Sequence, residues 1–328
     1  MTEVYIFATL VVGGIFINEY VKVGGDPLLL VLLFGSYTLM VATANSNNKT
    51  TPSAPSVVPE PVKPPVVAPP AVVPPVATLS CGKQSTIPQN YIIGGSEAYP
   101  GKWPWMVYIA KTLPTGTVEQ SAGFLINERW VVTCAHTSPD KTMSVTLGVF
   151  DLSQQETTRI VASVEKIIIH PNFNAGTVDS NYQLNDIALI KLSGPVTFTP
   201  YIQPICLPTS LQDPGTGGNL KVCGWGLDET LQPSDKLKDV SLTVVSNPVC
   251  ANFFKGFTGN GQLCLGNLDK IASDCKGDSG GPVMTQKGTT WTAVGIVSYG
   301  FVDCANLSPS VYTDVAFHLD FIKKSILL

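Results

Sequence analysis

Three short stretches of the sequence hold side chains that could act together on an acyl group. "TCAHT" places His136 just after a strongly apolar run, "NDIALIKL" places Asp186 at the head of another, and "CKGDSGGP" places Ser279 in a Gly-rich turn. A serine hydroxyl is a poor nucleophile at neutral pH and needs a neighbouring base. An imidazole suits that task because its unperturbed pKa lies near working pH. A carboxylate beside it fixes the tautomer and steadies the imidazolium. Taken singly, each residue has a plainer reading: a packed or solvated histidine, a turn-capping aspartate, a tight glycine loop. With only three histidines in the chain (His136, His170, His318), the combination carries the meaning.

Elements that could position these groups follow from Ile92 onward, where short apolar runs alternate with turn signals. "WVVTCA" (130–135), "RIVASVEKIIIH" (159–170), "DIALIKL" (186–192), "VSLTVV" (240–245) and "WTAVGIVSYG" (291–300) read as strands of an all-β sandwich or barrel. Only the tail, "VAFHLDFIKKSILL" (315–328), has helical spacing, with Val315, Phe317, Leu319, Ile322 and Ile326 on one face.

The first quarter has a different character. An apolar run over 4–17 is too short to span a bilayer comfortably, and a second, "LLLVLLFGSYTLMVATA" (28–44), ends in a small-x-small site that suits signal peptidase. Residues 1–44 are therefore expected to be a signal peptide, giving a secreted protein, or an uncleaved signal anchor, giving a type II membrane protein with its bulk outside. Residues 45–80 form a linker in which ten of the 27 residues from 51 to 77 are proline, an extended polyproline-type spacer. Asn48 and Asn306 head glycosylation sequons. Net charge is −4 with 13% charged residues and no block of like charge, so nothing reads as a nucleic-acid footprint. Eight cysteines without a Cys-x-x-Cys pair argue for four disulfides, against a zinc site, and for an oxidising compartment.

From about residue 81 to 328 the chain resembles the chymotrypsin/trypsin-type serine endopeptidases. "IIGGSEAYPGKWPW", "WVVTCAH", "NDIALIKL", "KVCGWG", "CKGDSGGP" and "GIVSYG…SPSVYTDV" match that family's landmarks in order and at compatible spacing. The resemblance implies two antiparallel six-stranded Greek-key β-barrels with the active site between them and a C-terminal helix. It implies His136, Asp186 and Ser279 as the triad, Ser298 as a hydrogen-bonding support for the aspartate, and the amides of Gly277 and Ser279 as the oxyanion hole. It also implies a zymogen: an activation segment at 81–91, a protease domain at 92–328, a cut after Tyr91, and a new amine on Ile92 that pairs with Asp278. The partners expected are protein or peptide substrates, protein protease inhibitors and an activating protease, with the enzyme itself a candidate for that role. A monomer is the family default, and no metal or cofactor is expected; in the loop "GVFDLSQQE" (148–156), which binds calcium in some relatives, Val149 stands at a carboxylate position.

Specificity follows from the pocket positions. The resemblance puts Ser273 at the base with Gly300 and Ser310 on the walls, a neutral and open pocket that favours aromatic or large apolar side chains. Asp274, beside the base, is the reason a preference for Lys or Arg stays open. A non-catalytic homologue acting as a binding module is the other alternative, although all three triad residues are present. By the same resemblance the expected disulfides are Cys81–Cys206, Cys250–Cys264 and Cys275–Cys304. The family's usual bridge beside the catalytic histidine is missing, with Ser121 and Thr137 at its ends. Cys134 and Cys223 remain, and are expected to pair, closing a loop of about 90 residues worth about 4 kcal/mol in the chain-entropy model.

Overall fold

The computed structural model describes residues 4–12, 15–23, 80–85, 98–176, 182–210, 218–228, 231–269, 273–301 and 307–327. The second apolar run, the proline-containing stretch 51–77, Asn48, Asn306, Tyr91, Ile92 and Cys304 lie outside them. The chain divides into two units, Met1–Val72 and Val73–Leu328. In the first, β1 (Val4–Val12) and β2 (Ile15–Val23) pair antiparallel, with Val12 opposite Ile15. Among the described residues no helix is long and apolar enough to cross a membrane.

The second unit is built from two antiparallel sheets. The first uses β3 (Met106–Thr112), β4 (Val118–Asn127), β5 (Trp130–Thr133), β6 (Ser144–Leu147), β7 (Ile160–Ala162), β8 (Val164–Ile169) and β9 (Ala188–Leu192), in the order β7-β6-β3-β4-β5-β9-β8. Its two end strands are one stretch of chain bent at Ser163, whose carbonyl accepts from Ser193 N at 2.9 Å. The seventh strand thus arises because a single segment pairs with β6 before the bend and with β9 after it. The second sheet is a closed barrel: β10 (Asn219–Gly224), β11 (Lys238–Val244), β12 (Gln262–Gly266), β15 (Ser310–Asp314), β14 (Thr290–Tyr299) and β13 (Pro282–Lys287), in that order around the ring.

Period-two alternation explains how the barrel holds both an interior and an outer contact. Leu220, Val222, Leu242, Val283, Val294 and Tyr312 form one cluster. Their alternating neighbours Cys223, Met284, Ala293 and Ile296 belong to the main core with Trp105, Phe124, Val131 and Leu189 of the first half. Apolar residues on both faces account for strands such as β5, buried along its whole length. The two halves therefore share one continuous core, and a cleft between them rests on packed side chains.

Among the described residues two helices complete the unit. The terminal one, α2 (Leu319–Ile326), is shorter than the spacing of 315–328 implies. Asp314 Oδ1 accepts from Ala316 N at 2.8 Å and Phe317 N at 3.3 Å, which holds residues 314–318 in a turn ahead of the helix. The other, α1 (Asn247–Phe253), was not apparent from periodicity; it follows Ser246, and its Pro248 occupies the first turn, where a missing amide proton costs nothing. Cys250 on α1 bonds Cys264 on β12, with Cα atoms 6.3 Å apart. Cys81 bonds Cys206 with Cα atoms 4.9 Å apart. That segment is held further by Gly82 N donating to Pro204 O and Trp291 N donating to Gly82 O, at 2.8 and 2.9 Å. A Cβ on Gly82 would stand 2.2 Å from Trp291 O, so only glycine permits this approach.

One expected pairing does not form. Cys134 and Cys223 are both free and buried. Cys223 Sγ packs on Met106 Sδ at 3.3 Å, whereas Cys134 Sγ faces Thr137 Oγ1 at 3.5 Å and His136 Nε2 at 3.9 Å. Lying on strands of one core does not aim two Cβ vectors at each other, as a disulfide requires. Cys275 is disulfide-bonded; its expected partner, Cys304, is outside the described residues.

Candidate active site

Each triad residue sits at a strand end. Because β5 and β9 run antiparallel with Thr133 opposite Ala188, the end of one lies beside the start of the other. His136, three residues past Thr133, is thereby brought to Asp186. Ser279 precedes β13 and is tied to the first half by Ala122 N, which donates to Ser279 O at 2.8 Å. The next residue, Gly280, has φ +85, and a Cβ there would lie 2.3 Å from both Ala122 O and Thr133 Oγ1. Glycine therefore sets how closely the two halves approach.

The result is a continuous hydrogen-bonded line. His136 Nδ1 lies 2.8 Å from Asp186 Oδ2, and Nε2 lies 3.0 Å from Ser279 Oγ. Asp186 is 0% exposed. Its Oδ1 accepts from Ala135 N at 2.7 Å and His136 N at 2.8 Å, and its Oδ2 accepts from Ser298 Oγ at 2.6 Å. Burial pushes the Asp186 carboxyl up, but the bonds and charge of His136 and the Ser298 hydroxyl outweigh it and hold the group below its ordinary value. An ionised Asp186 accepts a hydrogen bond from Nδ1–H, which leaves the Nε2 lone pair directed at Ser279. For His136, burial works against the imidazolium while Cys134 and Asp186 favour it; the net direction is upward.

Beside the serine, Gly277 has φ +100, a left-handed geometry natural to glycine. Among the described residues neither Gly277 N nor Ser279 N has an acceptor, so both amides are available to a developing oxyanion. Between them, Asp278 turns away from the cleft. Its Oδ1 accepts from Gly226 N at 2.7 Å and its Oδ2 from Cys275 N at 2.9 Å. Burial, reinforced by the nearby Asp274, pushes its pKa up to about 7 despite those two amides, and no ion-pair partner lies against it among the described residues.

The pocket positions also converge. Ser273 Oγ stands 3.4 Å from Ser310 Oγ, and a Cβ on Gly300 would lie 2.8 Å from Ser310 Oγ. Asp274 is buried and accepts from the hydroxyl of Tyr312; burial raises its pKa, and the bonds from Tyr312 and Ser310 oppose that rise. Tyr299, at the end of β14, stacks edge-on with Phe254 at 5.5 Å and accepts from Gln262 Nε2 at 3.1 Å. In the 148–156 loop, the Glu156 carboxylate accepts from Phe150 N at 2.7 Å and Asp151 N at 3.3 Å.

Several contacts are not apparent from the motifs. Thr313 Oγ1 donates to Asp186 O at 2.9 Å, so β15 braces the backbone of the carboxylate. Asn185 adopts φ +52 immediately before Asp186, and its Oδ1 lies 3.2 Å from Nε2 of the buried His318. The left-handed tolerance of asparagine was the only sequence signal for that turn. Tyr312 as the partner of Asp274, and Cys134 as a neighbour of His136 Nε2, depend on tertiary packing.

Similarity to known proteins agrees with this geometry. Residues 92–322 match the trypsin family. Phenoloxidase-activating factor 3 of Holotrichia diomphalia is 35% identical over 270 residues, covering 75% of this chain and 74% of that protein. With two β-sheet halves, a Ser279–His136–Asp186 line between them and a family match across most of the chain, this protein belongs to the trypsin family of serine proteases.

Proposed function

We propose that the chain is a secreted serine endopeptidase, made as a zymogen and activated by cleavage after Tyr91. The observation that carries the catalytic reading is the Asp186–His136–Ser279 line at 2.8 and 3.0 Å. His136 Nε2 removes the Ser279 proton as Oγ attacks the substrate carbonyl, and the amides of Gly277 and Ser279 receive the oxyanion. His136 then returns the proton to the leaving amine. Water attacks the acyl-enzyme by the same path in reverse. Losing one oxyanion donor in such a site costs about 10²–10³ in turnover.

Asp278 supports the activation step. A buried carboxylate held by two amides, with a pKa pushed up to about 7, is poised for a cation. Cleavage before Ile92 creates an α-amine that fills that role and stabilises the 277–279 loop. The Cys81–Cys206 bond keeps the released segment attached.

The primary pocket favours an aromatic or large apolar residue before the scissile bond. Asp274 argues for this reading: its carboxylate is buried and engaged by Tyr312 and Ser310, and a lysine or arginine would have to compete with both. Tyr91 fits the same preference, which makes self-activation part of the proposal. The likeness to a protein named an activating factor favours limited cleavage of a protein substrate over digestion. Profiling the processed chain against a peptide library tests the specificity. Cleavage after Tyr, Phe or Leu is expected, and cleavage after Arg or Lys alone overturns it. A purified Ser279→Ala chain that is still cut at Tyr91 excludes self-activation.

A further inference from the structure

Cys134 has no role in the acyl-transfer scheme, yet its sulfur is 3.9 Å from the atom on which that scheme turns, His136 Nε2. It is a free thiol. Ligand atoms of Cys134, His136 and Asp186 all lie within 4.8 Å of one another. The ring orientation matters most. His136 Nδ1 is committed to Asp186 Oδ2 at 2.8 Å, so the Nε2 lone pair points outward, toward Ser279 and the cleft. A carboxylate behind the imidazole is the arrangement that orients histidine ligands in zinc sites.

We propose that Cys134 Sγ and His136 Nε2 form a binding site for a thiophilic divalent cation such as zinc, and that occupation of this site reversibly blocks the protease. Zinc sits about 2.3 Å from a thiolate sulfur and about 2.0 Å from an imidazole nitrogen, so a 3.9 Å gap accommodates it at an S–Zn–N angle of about 130°. Contraction of the gap by about 0.4 Å gives the tetrahedral value. Water from the cleft completes the sphere, in place of Ser279 Oγ, which stands 3.0 Å from Nε2. Asp186 stays behind the ring, because its oxygens already accept from Ala135 N, His136 N, His136 Nδ1 and Ser298 Oγ. The His136 side chain is 19% exposed, which gives the ion an entry from the cleft although Cys134 itself is buried. On binding, the thiol proton passes to solvent and the Nε2–Ser279 hydrogen bond is replaced by the metal bond, so the base is lost. The ion is an inhibitor in this account, and the reaction does not use it.

The binding claim rests on geometry alone, while the inhibitory consequence rests on His136 being the base, so the two are tested separately. Calorimetric titration of the full-length Ser279→Ala chain with Zn²⁺ is expected to show one bound equivalent. Binding should weaken by about tenfold or more in Cys134→Ala and in the nearly isosteric Cys134→Ser, but not in Cys223→Ala, which removes the other buried thiol. Co²⁺ used as a probe should give a thiolate-to-metal charge-transfer band that both Cys134 variants lack. No binding, or binding that survives both Cys134 substitutions, overturns the site. With the processed wild-type chain, Zn²⁺ should suppress peptide hydrolysis and a chelator restore it, and Cys134→Ala should need about tenfold more Zn²⁺ for the same fractional loss. Zn²⁺ binding at Cys134 without inhibition overturns the inhibitory role. A processed chain inactive even with chelator present refutes the protease reading and leaves the binding result standing.

Discussion

Asp278 should make the stability of the uncleaved chain fall as pH rises from the carboxylate range to neutrality. Burial pushes the Asp278 carboxyl up to about 7, from an ordinary carboxylate value of 3.8. A carboxyl whose folded pKa is raised holds its proton more tightly in the native state than in the unfolded one. Its contribution is fully present below the unfolded pKa and is lost as pH rises through the folded value. That difference corresponds to about 4 kcal/mol in total, of which about 3 kcal/mol is lost between about pH 4.5 and about pH 7.5. The assay is urea unfolding followed by tryptophan fluorescence, with Ser279→Ala as the background so that no self-cleavage intervenes. In the Asp278→Asn version the residue cannot ionise, and its single oxygen can accept from only one of the two amides. That lost bond is an offset common to all pH values, so the difference in pH dependence between the two chains isolates Asp278. After cleavage before Ile92, pairing with the α-amine should reverse the sign, since a carboxylate with a depressed pKa stabilises at high pH and loses its effect as pH falls. An uncleaved chain no more pH-dependent than its Asp278→Asn counterpart, or one that gains stability toward neutrality relative to it, refutes the reasoning.

Other perturbations read different parts of the site. In Gly226→Ala the new Cβ would lie 2.6 Å from Asp278 Cγ. It should destabilise the chain by about 1–3 kcal/mol and lower the activity of the processed form, seen by denaturant unfolding and by kcat/KM. Ser298→Ala removes a 2.6 Å bond to a fully buried carboxylate, so a loss of about 1.5–3 kcal/mol in unfolding free energy is expected, together with a lower kcat and little change in KM. Thiol titration of the unfolded, unreduced chain should find two reactive cysteines, Cys134 and Cys223; a count of zero would restore the bridge between them.

The triad was legible in the sequence because each member sits next to a strand end whose local pattern is strong: "WVVTCAH", "NDIALIKL" and the glycine turn before "PVM". Antiparallel pairing of β5 with β9 joins the first two motifs, and the bond from Ala122 N to Ser279 O brings in the third. The strands were legible for the same reason, whereas the bonds of Cys81 and Cys250 were legible only through the family resemblance. The helix α1 was hidden because seven residues give too few turns to set a period, and two of its apolar residues, Val249 and Phe253, face outward. The Cys134–Cys223 expectation failed because proximity of strands says nothing about the direction of side chains. Asp274 could not be assigned from position alone; its partner Tyr312 lies 38 residues away on a strand that meets it only in the closed barrel.

The account stands most directly on whether Ser279 is an activated nucleophile in the processed chain. A fluorophosphonate probe, with the adduct located by peptide mass spectrometry, measures this. The account predicts a single adduct on Ser279, absent in Ser279→Ala and strongly reduced in the uncleaved chain. A correctly processed, folded chain that takes no label on Ser279 would contradict it and leave a binding module in its place.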